Sequence, residues 1–209
     1  MSRFNLHDRL LTRDHTLLGC ILHGIHGVLI ELQGRAISVL KRPKPVVECC
    51  SITGMPRGPV REAMQRIQGA FSKLRIPDSP VEILINLAPA AIEKDGTWLD
   101  LPLAITMLQV AGILPDLNAN KESQHLLFGE LGIHGELRRI PGALSLAFCS
   151  KPGQQLIVPK HPNRTKTNQH FQLVNSKWPI PPGSWKGGGE IVALRFRPRG
   201  IVLVSGRSR

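Results

Sequence analysis

The 209-residue chain contains no G-K-[ST] tripeptide, and therefore no G-x-x-x-x-G-K-[ST] loop. That loop wraps phosphates in backbone amides and brings a lysine and a hydroxyl to phosphate and magnesium, so these residues hold no phosphate-loop nucleotide site. The nearest decoy, Gly183-Ser184-Trp185-Lys186-Gly187, follows Pro181-Pro182 rather than a strand and has no hydroxyl after its lysine. Cysteine is sparse as well: Cys20, Cys49, Cys50 and Cys149 have no C-x-x-C spacing, and the adjacent pair would point to opposite faces of a strand. Buried or half-buried thiols in a reducing cytosol fit this pattern better than a disulfide or a zinc site. His23 and His26, three apart at a strand and turn, fall on opposite faces and do not make a metal site. No apolar run approaches the ~20 residues that span a bilayer. The start, MSRFNLHDRLLTRDH, is acidic in part and lacks an apolar core, unlike a secretory signal. No cofactor, no metal and no membrane are expected, and the location expected is cytoplasmic.

Acidic residues are also scarce, 15 against 27 Lys and Arg, but the excess is uneven. From Lys160 onward there are ten basic residues and one acid, Glu190, so the last 50 residues carry +9 of the net +12. The high isoelectric point describes the end of the chain rather than a basic fold.

Residues 85–112 form the stretch around which the rest is organised. Val81, Ile83, Ile85 and Leu87 alternate with Glu82 and Asn86, the period of a strand buried mainly on one face. Pro89 ends the ladder, having no N–H to donate. Lys94-Asp95-Gly96-Thr97 reads as a polar turn with glycine at a positive φ. Asp100 reads as an N-cap, Pro102 suits the first turn, and Leu101 to Ala111 is apolar almost all round, a buried helix stopped at Gly112. Upstream, strands are expected at residues 16–22, 28–32, 36–40 and 46–53. Val60, Ala63, Met64, Ile67, Ala70, Phe71 and Leu74 then recur at three and four, one helical stripe, with Glu62 and Arg66 paired at i, i+4 on the other face. Downstream, residues 126–130 and 136–138 read as short strands, 141–149 as a helix and 155–158 as a strand. Helices on a mixed sheet, an α+β domain, follow from this order.

The same stretch carries a family resemblance. Asn86-Leu87-Ala88-Pro89-Ala90, then Lys94-Asp95-Gly96, then Asp100-Leu101-Pro102 with Ala104, resembles the N-terminal domain of the magnesium-chelatase-subunit-I-like (ComM/YifB-type) proteins. Two more motifs fit in order. Ser51-Ile52-Thr53-Gly54-Met55-Pro56 with Val60-Arg61-Glu62 resembles the family's I-V-G-L-P…V-R-E-S. Gly129-Glu130-Leu131, Gly135-Glu136-Leu137 and Ile140-Pro141-Gly142-Ala143-Leu144 resemble its G-E-L…G-x-L-x-x-V-x-G-x-L. The similarity runs from about Leu22 to Pro159.

What the resemblance implies is a two-layer fold of the ribosomal protein S5 domain 2 type, shared with the proteolytic domain of Lon. Placed on the Lon motifs, the nucleophilic serine position is Trp98 and the general-base lysine position is Leu144, so no Ser/Lys dyad is expected and the chain is expected not to be an enzyme. Ser145, one residue on, has no base beside it. Residues 1–15 are expected to be a loose lead-in, 16–159 the family domain, and 160–209 a basic Pro/Gly-rich tail, largely disordered, in which 191–196 and 201–204 are able to pair as strands. The function implied is a non-catalytic interaction or accessory domain of a magnesium-chelatase-like AAA+ family, without the ATPase module, which would be the partner as a module or subunit; self-association is left open. Lys94, Asp95, Gly96 and Asp100 are the loop expected to meet such a partner, against the plainer reading of a turn and a cap. The alternative is nucleic-acid binding through the tail, with Lys186, Arg195, Arg197 and Arg199 against phosphates; ComM-type relatives act on DNA in natural transformation.

Overall fold

Residues 14–118, 125–138, 140–151, 154–159, 172–175, 191–197 and 200–206 are described in this computed structural model, the strands after residue 171 by their backbone alone. Strand β1 (Asp14–His23) turns at Gly24-Ile25 and returns antiparallel as β2 (His26–Lys44), in register from Asp14–Arg35 to His23–His26. The two separate strands expected between residues 28 and 40 are thus one. Strand β3 (Cys50–Thr53) is shorter than expected, because residues 46–49 form a turn in which the Glu48 and Cys49 amides donate back to the Pro45 carbonyl. Helix α1 (Gly58–Leu74), β4 (Ser79–Ala88) and helix α2 (Asp100–Val110) follow. Strands β5 (His125–Leu127), β6 (Glu130–Leu131) and β7 (Leu137–Arg138), helix α3 (Ala143–Ala147) and β8 (Gln155–Val158) complete the region of the motifs.

One sheet has the order β3-β4-β2-β1-β5-β8, extended by β9 (Gln172–Asn175) beside β8. β3, β4, β1, β5 and β8 run in one direction, and β2 and β9 run against them. The fold is α+β, a mixed sheet with helices packed on it, as the order of elements predicts. Strands β10 (Ile191–Arg197) and β11 (Gly200–Gly206) pair antiparallel, which includes the pairing expected there. Within the tail expected to be largely disordered, Gln172–Asn175 form β9, and residues 160–171 and 176–190 lie outside the described residues; of the expected lead-in, Asp14 and His15 belong to β1 and residues 1–13 lie outside the described residues.

Alternation sets the core. Leu17 and Ile21 of β1, Ile30, Leu32 and Ala36 of β2, Val81, Ile83, Ile85 and Leu87 of β4, Leu127 and Ile157 share one face and pack with α1 and α2. The stripe of α1 meets them through Val60, Ala63, Ile67, Ala70 and Phe71. Every residue of α2 is buried. Leu101, Leu103, Ile105, Met107, Leu108 and Val110 each contribute ~1.5–3 kcal/mol on burial, far more than the ~1 kcal/mol of an N-cap, and α2 forms without one. Its seat needs glycine: a Cβ on Gly34 would stand 2.5 Å from Thr106 Cγ2 and 2.8 Å from Val110 Cγ2. β2 therefore runs straight under the helix where a larger residue would force them apart.

The other face of the sheet is divided. Over β3, β4 and β2 it carries a polar chain: the Thr53 hydroxyl donates to Asn86 at 3.1 Å, Asn86 to Gln33 at 3.0 Å and Gln33 to Glu31 at 3.2 Å. Over β1, β5 and β8 it is apolar, with Cys20, Leu126, Phe128 and Leu156 packed with Ile140 and Leu146. Among the described residues no helix is long and apolar enough to cross a membrane.

Candidate functional site at the carboxyl end of the parallel strands

Because five strands run one way, the loops that leave β3, β4 and β5 emerge at one end of the sheet, the usual place for functional groups in open sheets with crossover helices. Thr53 leads into Gly54-Met55-Pro56-Arg57 and α1, Ala88 into residues 89–99 and α2, and Leu127 into Phe128-Gly129-Glu130. Backbone bonds knit them together. Lys94 N–H donates to the Met55 carbonyl at 3.3 Å and Arg57 N–H to the Lys94 carbonyl at 3.0 Å. Gly129 N–H donates to the Trp98 carbonyl at 3.0 Å, and Leu101 N–H to the Gly129 carbonyl at 3.1 Å. The three motifs, far apart in sequence, are therefore one structural unit.

Lys94 departs from expectation. Its parallel bridge to Pro56 turns the side chain inward, and it is 0 % exposed, with its amine donating to the Pro89 carbonyl. Desolvation lowers its pKa below the ordinary lysine value. It joins loop to loop and is not displayed to a partner. Asp95 is exposed, and its carboxylate accepts the Gly96 N–H at 2.8 Å. Gly96 has φ +87°, the left-handed conformation the turn predicts, and the Trp98 ring lies where a Cβ would be, 2.0 Å away.

Asp100 is the second correction. The residue preceding α2 is Leu99, and no side chain caps the helix. Asp100, 1 % exposed, is the helix's first residue and faces α1. Arg66 Nε donates to its Oδ2 at 2.7 Å and Nη2 to its Oδ1 at 2.9 Å, a two-pronged pair, and Leu131 N–H adds a third bond at 3.1 Å. One carboxylate thus joins α1, α2 and β6. Burial pushes Asp100 up from its ordinary value, opposed by Arg66 and the Leu131 amide, while its hydrogen bonds hold Arg66 up. The i, i+4 contact of Arg66 with Glu62 exists at 3.8 Å, but it is the minor one. The sequence held a sign of this: Arg66 flanks the stripe of α1, beside Ala63 and Ala70, and a carboxylate opening a buried helix needs a cation.

Around this knot lie groups that sequence reasoning did not single out. Thr97 Oγ1 donates to Glu130 at 2.9 Å. Arg57 and Glu93, both about half exposed, form an ion pair across the mouth of the two loops, next to Met55, which has φ +57° and is 51 % exposed. That pairing raises the Arg57 pKa. Strain at a non-glycine residue that displays an apolar side chain marks the exposed rim of the site.

Trp98 packs against both apolar clusters and donates through Nε1 to the Pro141 carbonyl at 3.1 Å. It closes the gap between loop 89–99 and the α3 segment, and an indole there supplies no nucleophile. Leu144 lies on α3, its side chain outside the described residues. Lys186 and Arg199 are outside them too; Arg195 and Arg197 are placed on β10 by backbone only. Among the described residues no three of His, Cys, Asp and Glu gather where a metal would sit.

The sequence pattern of the family described as subunit ChlI of Mg-chelatase matches residues 43–162, more than half of the chain and all of the loops above. Among curated relatives, the uncharacterized protein YifB of Escherichia coli is 39% identical over 111 residues, 53% of this chain and 21% of that protein. Competence protein ComM of Haemophilus influenzae is 31% identical over 111 residues, again 53% and 21%. An uncharacterized protein of Mycobacterium tuberculosis is 25% identical over 130 residues, 62% of this chain and 24% of that protein. The chain thus spans between a fifth and a quarter of the length of these relatives.

Proposed function

Because the chain belongs to the family of Mg-chelatase subunit ChlI, with the character of a ComM/YifB-type N-terminal domain, we propose that it is a non-catalytic docking domain of that AAA+ family, whose partner is the family's ATPase module. The observation that carries this reading is the division of labour within the motif loops. Lys94, Trp98 and Asp100 are engaged inside the fold, where they fix the geometry. Asp95, Met55 and the Arg57–Glu93 pair are left on an exposed rim held by rigid elements. Rigid loops with a polar, partly apolar rim suit recognition. Trp98, at the position that the resemblance to the Lon domain gives to the nucleophile, supports a role without peptide hydrolysis. The cytoplasm is the compartment that fits.

The test is binding of the chain to a separately produced ATPase module of the family by calorimetry. Asp95→Lys and the double change Arg57→Ala with Glu93→Ala should each weaken the complex at least ~10-fold, about 1.4 kcal/mol, while the melting temperature of the free chain stays within a degree or two. Undiminished affinity in both variants would remove the rim from the interface and this reading with it.

The concentration of +9 in the last 50 residues favours a second reading, contact with nucleic acid through the tail. A DNA affinity that falls steeply with salt, and that is lost when Lys186, Arg195, Arg197 and Arg199 are changed to Ala, would support it; salt-insensitive or absent binding would dismiss it.

A further inference from the structure

We propose that Cys20 and Cys149 are a modification site: they form a reversible intramolecular disulfide that ties the α3 segment to the centre of the sheet. The observation is a place in the fold where both sulfurs border the one space left open beside Gly27. Leu22 pairs with Gly27 and Cys20 with Leu29, so Gly27 and Cys20 share the face of the β1–β2 ribbon that α3 covers. A Cβ on Gly27 would lie 2.3 Å from Cys149 Sγ, 2.7 Å from the Ser145 carbonyl and 3.3 Å from Cys20 Sγ. Glycine at 27 therefore opens the space that both thiols border, the Cys20 thiol donating to the Ile21 carbonyl at 3.8 Å and the Cys149 thiol to the Ser145 carbonyl at 3.9 Å. Both are free thiols here. Cys20 is fully buried and Cys149 half-buried, at the carboxyl end of the α3 segment.

The chemistry is thiol–disulfide exchange with a small disulfide such as oxidised glutathione. The Cys149 thiolate, the accessible one, attacks one sulfur of the oxidant and expels the other as a thiolate, leaving a mixed disulfide. Cys20, giving up its proton to solvent or to the departing thiolate, attacks Cys149 Sγ and expels the second small thiol. One external disulfide is reduced to two thiols, and two protein thiols become one disulfide. Burial holds the Cys20 thiol above its ordinary pKa, so Cys20 does not start the exchange but completes it. Cys49, buried at a turn, and Cys50, adjacent to it, stand apart from this cluster and serve as internal controls. The cross-link bears on the loops described above, because Trp98 donates to Pro141, just ahead of α3. A tied α3 segment is a fixed support for that indole.

The experiment is incubation of the folded chain with oxidised glutathione, then denaturation, alkylation and mass spectrometry without reduction. The expected result is the loss of two of the four alkylatable cysteines, a tryptic peptide carrying Cys20 linked to one carrying Cys149, and reversal by a reducing thiol. The cross-linked form should melt ~5–15 °C higher, since the bond closes most of the domain into a loop. Cys20→Ser should stop at a stable glutathione adduct on Cys149, and Gly27→Ala, which wedges the sulfurs apart, should slow closure at least ~10-fold. The proposal is overturned if the wild type accumulates the adduct at Cys149 while Cys20 stays alkylatable. It is equally overturned if Cys20 links to Cys49 or Cys50, or if four free thiols survive the treatment.

Discussion

Removing either partner of the Arg66–Asp100 pair should not cost the same, and the difference tests whether this carboxylate is the knot of the fold. Asp100 is 1 % exposed while the Arg66 side chain is 18 % exposed, so the two changes leave different orphans. In Arg66→Ala the carboxylate stays buried with only the Leu131 amide to satisfy it, and a loss of ~3–5 kcal/mol is expected. In Asp100→Ala the guanidinium is left near water, keeps its bond to the Pro59 carbonyl at 3.0 Å and has Glu62 within 3.8 Å, so ~1–3 kcal/mol is expected. The double variant should then be no worse than Arg66→Ala, which corresponds to a coupling of ~1–3 kcal/mol. Urea denaturation reads these numbers: at a slope of ~2 kcal/mol per M, Arg66→Ala lowers the midpoint by ~1.5–2.5 M. The pH dependence gives an independent check. Burial already raises the Asp100 pKa, so its charged form opposes folding fully above the folded pKa, and that opposition fades as pH falls through the folded pKa towards 3.8. Without Arg66 the pKa rises further, so the deficit of Arg66→Ala should shrink on acidification while that of Asp100→Ala should not. Asp100→Ala costing more than Arg66→Ala, or a coupling below ~0.5 kcal/mol, would refute the reasoning.

That asymmetry also shows what the sequence could reveal. The alternation in β4, the stripe of α1 and the all-round apolar α2 were legible because each rests on a local period that burial then enforces. Of the strand expected at 46–53, residues 46–49 form a turn instead because Pro45 supplies a carbonyl that the next amides reach more easily than a ladder, and only Cys50–Thr53 pairs. Asp100 was legible as important but not in its role. A cap is judged from four neighbouring residues, whereas its partners, Arg66 and Leu131, lie 34 and 31 positions away. Lys94 failed for a similar reason: in sequence K-D-G is a polar turn, and only the long-range bridge to Pro56 turns the lysine inward. Gly27, Gly34 and Trp98 matter through what stands opposite them, which no single-sequence period records.

Two further predictions address close packing and buried charge. Gly34→Ala should cost ~1–3 kcal/mol by denaturation, since its Cβ meets Thr106 Cγ2, and adding Thr106→Ser, which removes that methyl but keeps the hydroxyl bonded to Pro102, should recover part of the loss. No recovery would mean that the helix shifts as a whole. Lys94→Met keeps the length of the buried stem while deleting the amine, at the loss of the bond to Pro89. Desolvation lowers the folded pKa of Lys94, so the unfolded chain binds more protons between that value and 10.5. Wild-type stability therefore contains a desolvation penalty that is full below the folded pKa and disappears as pH rises towards 10.5. The methionine variant lacks that penalty. Its stability relative to wild type should be most favourable near neutral pH and should decline steadily on alkalinisation. Matched urea curves taken at intervals from pH 7 to 10.5 follow the trend. A difference that stays flat, or that grows in favour of methionine as pH rises, would show that the amine is solvated and that the Lys94 loop opens to water.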